Sequence, residues 1–391
     1  LLAKLPFQLT NAQRRVWGEI AADLTLNKPM LRLIQGDVGS GKTIVAGLAA
    51  YAAATHGYQS AIMAPTELLA RQHAETLNTL LSPHGVSVGL LVGSIKKSAK
   101  DALKREIASG SIAVTVGTHA LIQDAVSFHK LGFVAIDEQH RFGVVQRQKL
   151  LGKSEHLPHL LSMTATPIPR SLQLTMYGDL DVSILREMPA GRKPIITKVM
   201  SPTSRATLYS SIDQEIAQGR QAYVVCPLIE ESVSPDMQLK SVIAEYERLK
   251  KTALKHRRVG LLHGAMKADE KDTVMRQFAG GELDVLVATT VVEVGVDVPN
   301  ATVMVIEGAE RFGLAQLHQL RGRVGRSDQQ SYCYLVPTEA RQTTNTRLRE
   351  LEGSNDGFYL AERDLELRGP GEIYGQAQHG ELNLQVARIT D

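Results

Sequence analysis

The sequence has few cysteines and no long apolar run. Among 391 residues only Cys226 and Cys333 are cysteines, and both lie in apolar stretches typical of strands. Two thiols in so long a chain make neither a disulfide framework nor a structural zinc site, so we expect them in a core and the protein in a reducing cytoplasm. No apolar run approaches the roughly 20 residues that span a bilayer, and nothing N-terminal resembles a signal peptide. We therefore expect no membrane partner.

An excess of charge of one sign is also missing. The 44 basic and 41 acidic residues leave a net charge of +3, so any face that binds nucleic acid must be local. With 43% apolar and 22% charged residues the composition is that of a soluble globular protein, and the length suits two domains. The chain begins at Leu1 rather than at a methionine, so we expect a fragment of a longer protein.

Short β-branched runs alternate with helical stretches along most of the chain. Continuous apolar strands need burial on both faces, so the alternation predicts parallel sheets covered by helices. Residues 188–194 contain two prolines and a glycine and predict an interdomain linker. We therefore predict two α/β domains, residues 1–190 and 191–340. In the remainder, residues 341–391, the strand signal stops and two short helices are predicted on either side of residues 353–357.

A glycine-rich loop follows the first apolar strand. Residues 36–43 fit the pattern G-x-x-x-x-G-K-T and open a helix. In such loops backbone N–H groups surround phosphates, the lysine supplies a cation and the threonine hydroxyl can ligate Mg²⁺. The strand before and the helix after make a chance glycine turn the weaker interpretation. The loop predicts ATP binding by Gly36, Asp37, Gly39, Ser40, Gly41, Lys42 and Thr43.

Acidic and amide side chains complete this predicted site. Asp137 and Glu138 follow an apolar strand, at the sheet edge where ligands bind in parallel α/β folds. We predict that Asp137 ligates Mg²⁺ and that Glu138 activates the attacking water. The alternative is an acidic pair that caps a helix. Upstream, the amide of Gln13 is suited to recognise adenine.

Two later segments suggest that hydrolysis drives motion. Ser162, Thr164 and Thr166 put small hydroxyls near the nucleotide, suited to a hydrogen-bonded relay between ATP and the other domain. In the second domain, Gln319, Arg323 and Arg326 would share one face of a helix at i, i+4, i+7 spacing. The two arginines could reach the γ-phosphate as arginine fingers do. The alternative is a solvated basic face.

In their order along the chain these motifs resemble those of superfamily-two helicases. Within that group the strings 117–120, 137–144, 163–170, 288–300 and 364–372 resemble the RecG family of ATP-dependent branched-DNA translocases. The resemblance covers essentially the whole chain. It implies two tandem RecA-like parallel-sheet P-loop domains, a C-terminal helical hairpin followed by a loop, and ATP with Mg²⁺ as cofactors.

The resemblance also implies roles that spacing alone does not show. Residues that contact the DNA backbone would be Thr66, Thr118 and His119 in the first domain and Thr289 and Thr290 in the second. Gly295 and Asp297 would face the nucleotide, and His140 would join the coupling hydroxyls. In the tail, Arg347 and Arg368 would hold the hairpin and Gln378 would lie on the loop that pushes on duplex, although all three could be ordinary surface or packing residues.

We therefore expect a DNA-dependent ATPase that translocates on double-stranded DNA and remodels stalled forks and Holliday-type junctions in recombination and repair. It would be a monomeric, nucleoid-associated protein of the bacterial cytoplasm, with single-strand-binding protein as a further candidate partner. The family's N-terminal wedge domain is not in the sequence, so we expect most branch selectivity to be lost. One alternative is the motor of a transcription-repair coupling factor acting on stalled RNA polymerase. Another is a nucleotide-gated DNA-binding module without turnover.

Overall fold

The chain contains two parallel β-sheets, each covered by helices. The computed structural model describes residues 5, 7–154, 156–166, 180–188, 192–227, 235–293 and 297–368. The strands of the first sheet have the order β3-β4-β2-β5-β6-β1-β7, and all their pairings are parallel. They are β1 (Leu31–Gly36), β2 (Gln59–Met63), β3 (Val88–Leu91), β4 (Val114–Gly117), β5 (Leu131–Ile136), β6 (His159–Thr164) and β7 (Asp181–Leu185).

The second sheet repeats this arrangement with one strand fewer. Its order is β10-β11-β9-β12-β13-β8, again with parallel pairings throughout. Its strands are β8 (Ile196–Val199), β9 (Gln221–Val225), β10 (Val259–Leu262), β11 (Val285–Ala288), β12 (Ala301–Glu307) and β13 (Tyr332–Val336). The predicted linker, residues 188–194, lies between β7 and β8, and residues 189–191 are outside the described part.

Helices follow most of the strands and cover both sheets. Those of the first domain are α1 (Asn11–Leu24), α2 (Lys42–Thr55), α3 (Glu67–Leu81), α4 (Lys97–Ser109) and α5 (Val144–Leu151). Those after the linker are α6 (Arg205–Ala217), α7 (Pro235–Lys251), α8 (Ala268–Ala279), α9 (Leu314–Arg321), α10 (Thr346–Gly353) and α11 (Gly357–Arg368). The pair α10 and α11 is the expected hairpin, split where the glycines predict. No helix in the described segments is both long and apolar enough to cross a membrane.

Apolar clusters fill both faces of each sheet because side chains alternate along a strand. In the first sheet Ile62 and Ala135 join the core on one face, and Ala61 and Val134 join the core on the other. The second sheet has the same double burial. The predicted fold class is therefore confirmed. The edge strand β7 was not predicted, because its alternating sequence Asp181–Leu185 lacks the continuous apolar character of the others.

Both cysteines lie in the core of the second domain, as expected. Cys226 is 3% exposed and Cys333 is fully buried, and both are free thiols. Burial raises the pKa of each thiol well above its ordinary value, because the thiolate would lose its hydration. The two side chains act as packing residues.

Candidate active site in the interdomain cleft

The glycine-rich loop joins β1 to α2, as its sequence predicts. Gly39 and Gly41 have φ of +80° and +89°, a left-handed conformation that favours glycine. The Lys42 Nζ donates to the carbonyl oxygens of Gly36 at 2.7 Å and Asp37 at 3.0 Å, so the lysine closes the loop on itself. Burial lowers the pKa of Lys42, although the carboxylates of Glu138 and Asp137 act against that shift.

Gln13 supports this loop from α1. Its Nε2 donates to the Ser40 carbonyl at 2.8 Å, and its Oε1 accepts from the Thr10 N–H at 3.0 Å. Thr10 and Gln13 form a capping box at the start of α1, which fixes the amide. Both ends of the Gln13 amide are therefore bound within the protein, and adenine recognition by Gln13 stays a prediction.

Asp137 lies at the end of β5, buried next to the loop. His73 on α3 is within 2.8 Å of its Oδ2 through Nε2, and both side chains are buried. Burial would raise the pKa of Asp137, but the hydrogen bond from His73 and the positive charge of Lys42 hold that pKa below its ordinary value. Asp137 is thus an anion at neutral pH. His73 was not predicted, since a lone histidine in an amphipathic helix carries no signal of its own.

The backbone of Glu138 is left-handed, with φ of 47°, in a residue that is not glycine. Such a conformation is sparsely populated and is found where the surroundings fix it, often at active sites. Oε2 of Glu138 accepts from the Ala165 N–H at 3.3 Å and lies 3.7 Å from Nδ1 of His140. The predicted catalytic carboxylate therefore contacts the segment with the predicted coupling hydroxyls.

That segment reaches the second domain through a direct hydrogen bond. The Thr166 N–H donates to Oγ1 of Thr164 at 3.1 Å, and Oγ1 of Thr166 accepts from Nε2 of Gln319 on α9. Ser162 is fully buried within β6. The structure thus brings Glu138, the hydroxyl segment and Gln319 into one continuous contact across the cleft.

The predicted helical face for the two arginines is wrong. Helix α9 ends at Arg321, so Gln319 is helical but Arg323 and Arg326 lie in the irregular segment after Gly322. Gly325, with φ of +75°, turns this segment away from helical geometry. Both arginines nevertheless lie at the cleft. Burial lowers the pKa of Lys42 and the charge of Arg323 adds to that effect, and Nη1 of Arg326 is 3.1 Å from Oδ1 of Asp297.

A second contact joins the glycine-rich loop to the hairpin. Oδ1 of Asp37 is 3.0 Å from Nε2 of His318, and the Gly357 N–H at the start of α11 also donates to Asp37. The other ring nitrogen of His318 is 2.8 Å from Nη2 of Arg321. A guanidinium can only donate hydrogen bonds, so Nδ1 of His318 must be the acceptor. Nε2 of His318 therefore carries the hydrogen and donates a hydrogen bond to Asp37.

Arg321 continues this contact into the turn of the hairpin. Its side chain is 2% exposed, and Nη1 donates to the carbonyls of Leu351 at 2.8 Å and Ser354 at 2.7 Å. These carbonyls lie at the C-terminal end of α10, where a cation is favourable. The turn is therefore bound by Asp37 of the first domain and by Arg321 of the second. The sequence had marked neither His318 nor Arg321.

The predicted DNA-contacting threonines lie at the carboxyl ends of strands. Thr118 follows β4 and Thr289 follows β11, which have the same place in the two sheets. Both side chains are buried, and within the described residues their hydroxyls have no hydrogen-bond partner. Thr66 caps α3 through its hydroxyl, which accepts from the Leu69 N–H at 3.3 Å. The remaining two residues of this set are the exposed His119 and the half-buried Thr290.

Only part of the predicted tail can be compared with the structure. Nη2 of Arg347 donates to the Glu310 carbonyl at 3.4 Å, which ties α10 to the turn before α9. Gln378 and Gly295 lie outside the described residues, as does the side chain of Arg368. Asp297 is described, and its backbone N–H donates to Oε1 of Gln72 on α3 at 3.2 Å, another contact between the domains.

Thr43 and Asp137 provide a hydroxyl and a carboxylate, the donors that Mg²⁺ takes beside a phosphate. Among the described residues there is no group of three or more acidic, histidine or cysteine side chains that could hold a metal ion by itself. The donor set therefore fits an ion held jointly by protein and nucleotide, since Mg²⁺ is usually bound through one or two carboxylates plus substrate phosphates.

Two family models match the chain, one for each domain. Residues 10–175 match the DEAD/DEAH box helicase family, and residues 205–328 match the helicase conserved C-terminal domain. The first match includes the glycine-rich loop and the carboxylate pair, and the second includes Arg323 and Arg326. The two sides of the cleft thus match the two conserved domains of helicases.

Whole-chain comparisons agree. The chain is 53% identical over 393 residues to the ATP-dependent DNA helicase RecG of Aquifex aeolicus (strain VF5), covering 99% of this chain and 49% of that protein. It is 53% identical to RecG of Escherichia coli (strain K12), covering 100% of this chain and 56% of that protein. A solved structure of RecG bound to a three-way DNA junction superposes with a TM-score of 0.81 at 47% identity, covering 95% of this chain and 48% of that one. The chain spans about half the length of these relatives, and it belongs to the RecG family.

Proposed function

We propose that this chain is the ATP-driven motor of a double-stranded DNA translocase that remodels stalled forks and Holliday-type junctions in recombination and repair. One observation carries the proposal: the glycine-rich loop with its carboxylates and the two arginines lie on opposite sides of one cleft that side chains bridge directly. Gln319 contacts Thr166, and His318 contacts Asp37. A γ-phosphate in this cleft would touch both domains, so its loss would change how they meet.

The residues divide the chemistry as follows. Lys42 would exchange its loop carbonyls for the phosphates, and Thr43 and Asp137 would hold Mg²⁺, which would supply neutralisation of phosphate charge. Glu138 accepts the proton of the attacking water and, through Ala165, is connected to the segment that Gln319 contacts. Arg323 and Arg326 stabilise the charge that develops on the transferred group. Hydrolysis then alters the contacts between the domains and supplies a step.

The DNA contacts belong to the same proposal. The hydroxyls of Thr118 and Thr289, which have no hydrogen-bond partner among the described residues, lie at equivalent strand ends, and phosphate oxygens are acceptors for such groups. Contacts to the backbone carry no base information, which suits a translocase that moves over any sequence. Arg347 and Arg368 would hold the hairpin and Gln378 would act on duplex. A monomeric state, single-strand-binding protein as a partner and association with the nucleoid complete the proposal.

The test is ATP hydrolysis with different polynucleotides. We expect forked and linear duplex DNA to stimulate phosphate release and Lys42→Ala to abolish it, whereas Lys28→Ala, an exposed lysine outside the cleft, keeps it. Stimulation by RNA alone would contradict a duplex-DNA motor. Unchanged release by Lys42→Ala would remove the assignment of the ATP site.

The alternative motor of a transcription-repair coupling factor is not favoured. The relatives that match nearly the whole chain at 51–53% identity are RecG proteins. Binding assays with stalled RNA polymerase separate the two hypotheses, because only the coupling factor requires the polymerase as a partner.

A further inference from the structure

A third arginine reaches the glycine-rich loop from the linker between the domains. Arg192 lies between β7 and β8, and a Cβ placed on Gly39 would be only 2.2 Å from its Nη1 and 2.8 Å from its Nη2. The guanidinium therefore lies directly against the loop, in space that exists because residue 39 is a glycine. Gly39 is also left-handed, so two properties of one residue permit the approach.

The segment that presents Arg192 is fixed to the second domain. The Pro194 carbonyl accepts from Nε2 of Gln330 at 2.9 Å, and the Ile196 N–H donates to the Ser331 carbonyl at 3.0 Å. Ile195 packs against Gly325, where a Cβ would lie 2.8 Å from its Cγ1. Arg192 thus lies at the start of the second domain and contacts a loop of the first, whereas Arg323 and Arg326 lie after α9 of the second domain.

The electrostatic surroundings of Arg192 favour an anion. Burial and the like charge of Arg326 lower the pKa of Arg192, and the carboxylate of Asp297 only partly offsets them. Asp297 is already 3.1 Å from Arg326. Two partly buried guanidiniums beside one carboxylate leave positive charge facing a loop whose N–H groups are suited to phosphate. A phosphate group presents pairs of oxygens to which a planar guanidinium can donate two hydrogen bonds.

We propose that Arg192 is a phosphate-binding residue that contacts the terminal phosphate of ATP together with Arg323 and Arg326. The proposal rests on the ATP site described under the proposed function. If Arg192 binds the terminal phosphate, the linker as well as the segment after α9 connects that phosphate to the second domain. An arginine that only packs against the loop would support the fold equally well with any nucleotide bound.

The test compares tri- and diphosphate binding in three variants. Fluorescent non-hydrolysable ATP and ADP analogues are titrated onto wild-type, Arg192→Ala, Arg192→Lys and Lys193→Ala proteins. Lys193 is the matched control, because it is the next residue, carries the same charge and is exposed. We expect Arg192→Ala to weaken the triphosphate about tenfold and the diphosphate less than about twofold, in keeping with one lost charge-assisted contact. Arg192→Lys should recover part of the loss and Lys193→Ala should show none.

Equal loss for both nucleotides, or no loss, would overturn the proposal. Thermal melting without nucleotide identifies a variant that has lost its fold, and Arg192→Lys then decides the question, since it keeps the charge but not the bidentate fork. The steady-state KM for ATP should rise in parallel with the triphosphate Kd. If the wild-type protein binds no nucleotide the proposed function fails, whereas normal binding with an indifferent Arg192 removes only this inference.

Discussion

The two domains contain a similar turn after equivalent strands. In the first domain β5 is followed by Asp137, Glu138 and a short turn to Gly143. In the second domain β12 ends at Glu307 and is followed by Gly308 and the same kind of turn to Gly313. The six strands shared by the two sheets also have the same order. The position after the acidic residue is left-handed in both, with φ of 47° at Glu138 and 56° at Gly308.

The left-handed backbone has a different conformational free-energy cost at the two positions. Glycine adopts a left-handed conformation without strain, whereas another residue there costs about 1–2 kcal/mol. The second domain has the unstrained residue, and the domain with the glycine-rich loop has a carboxylate instead. The comparison supports the proposal that the strain at Glu138 is retained for a catalytic role of its side chain.

The helices after these turns, α5 and α9, have equal length but differ in burial. Both α5 and α9 have eight residues, and Leu151 has the place in α5 that Arg321 has in α9. Helix α5 leaves Val144 58% and Val145 64% exposed, while α9 is buried between the glycine-rich loop and the hairpin. One copy of the motif therefore carries the carboxylates of the proposed active site, and the other provides the connection to the hairpin.

The largest effect is expected from placing the second domain's residue in the first. Glu138→Gly should lower the rate of DNA-stimulated ATP hydrolysis at least about 100-fold, because the general base is lost. The free energy of unfolding should rise by about 1 kcal/mol as the left-handed strain is removed. Phosphate release and urea unfolding measure the two effects, and Glu138→Gln is the control that loses activity without relieving strain. Retained hydrolysis in Glu138→Gly would show that another group is the base.

The converse replacement concerns α9. Arg321→Leu, which introduces the residue of α5, should lower the free energy of unfolding by about 3 kcal/mol, because buried carbonyls of Leu351 and Ser354 lose their donor. Urea unfolding provides the measurement. Arg311→Leu is the control, since its half-exposed side chain is 3.9 Å from Glu310 and its loss should change little. Equal stabilities of the two variants would mean that Arg321 does not hold the hairpin turn.

The smallest effect is expected at the glycine copy of the turn. Gly308→Ala adds left-handed strain and a Cβ that would lie 2.8 Å from Cγ of Pro227, so unfolding should become easier by about 2 kcal/mol. Gly219→Ala has the same backbone requirement, with φ of +83°, but no atom near the new Cβ, and should lose only about 1 kcal/mol. A pair of thermal melts compares them. If both lose the same, the contact with Pro227 contributes nothing.

Features set by neighbouring residues could be predicted from the sequence. The apolar runs located the described strands other than β7, and the glycine-rich loop and Asp137 follow from a pattern next to a strand. The tripeptide Arg141-Phe142-Gly143 recurs as Arg311-Phe312-Gly313, and this repeat is a sequence signal for two similar turns.

Features made by distant residues could not be predicted. His73 reaches Asp137 from 64 positions away, and Asp37 meets His318 from 281 positions away. The prediction that Arg323 lies on a helical face was wrong for a local reason. Gly322 ends α9 before Arg323 is reached. Periodicity describes a helix only while it continues, and two glycines within four residues end it here.

The burial of both native thiols makes the protein convenient to label. Cys226 and Cys333 are closed off from solvent, and the raised pKa of each leaves almost no reactive thiolate at neutral pH. A cysteine introduced at exposed Lys28 and another at exposed Lys255 would accept dyes without background from the natural sequence. The distance between those dyes would give a direct optical record of the two domains as nucleotide enters and leaves the cleft.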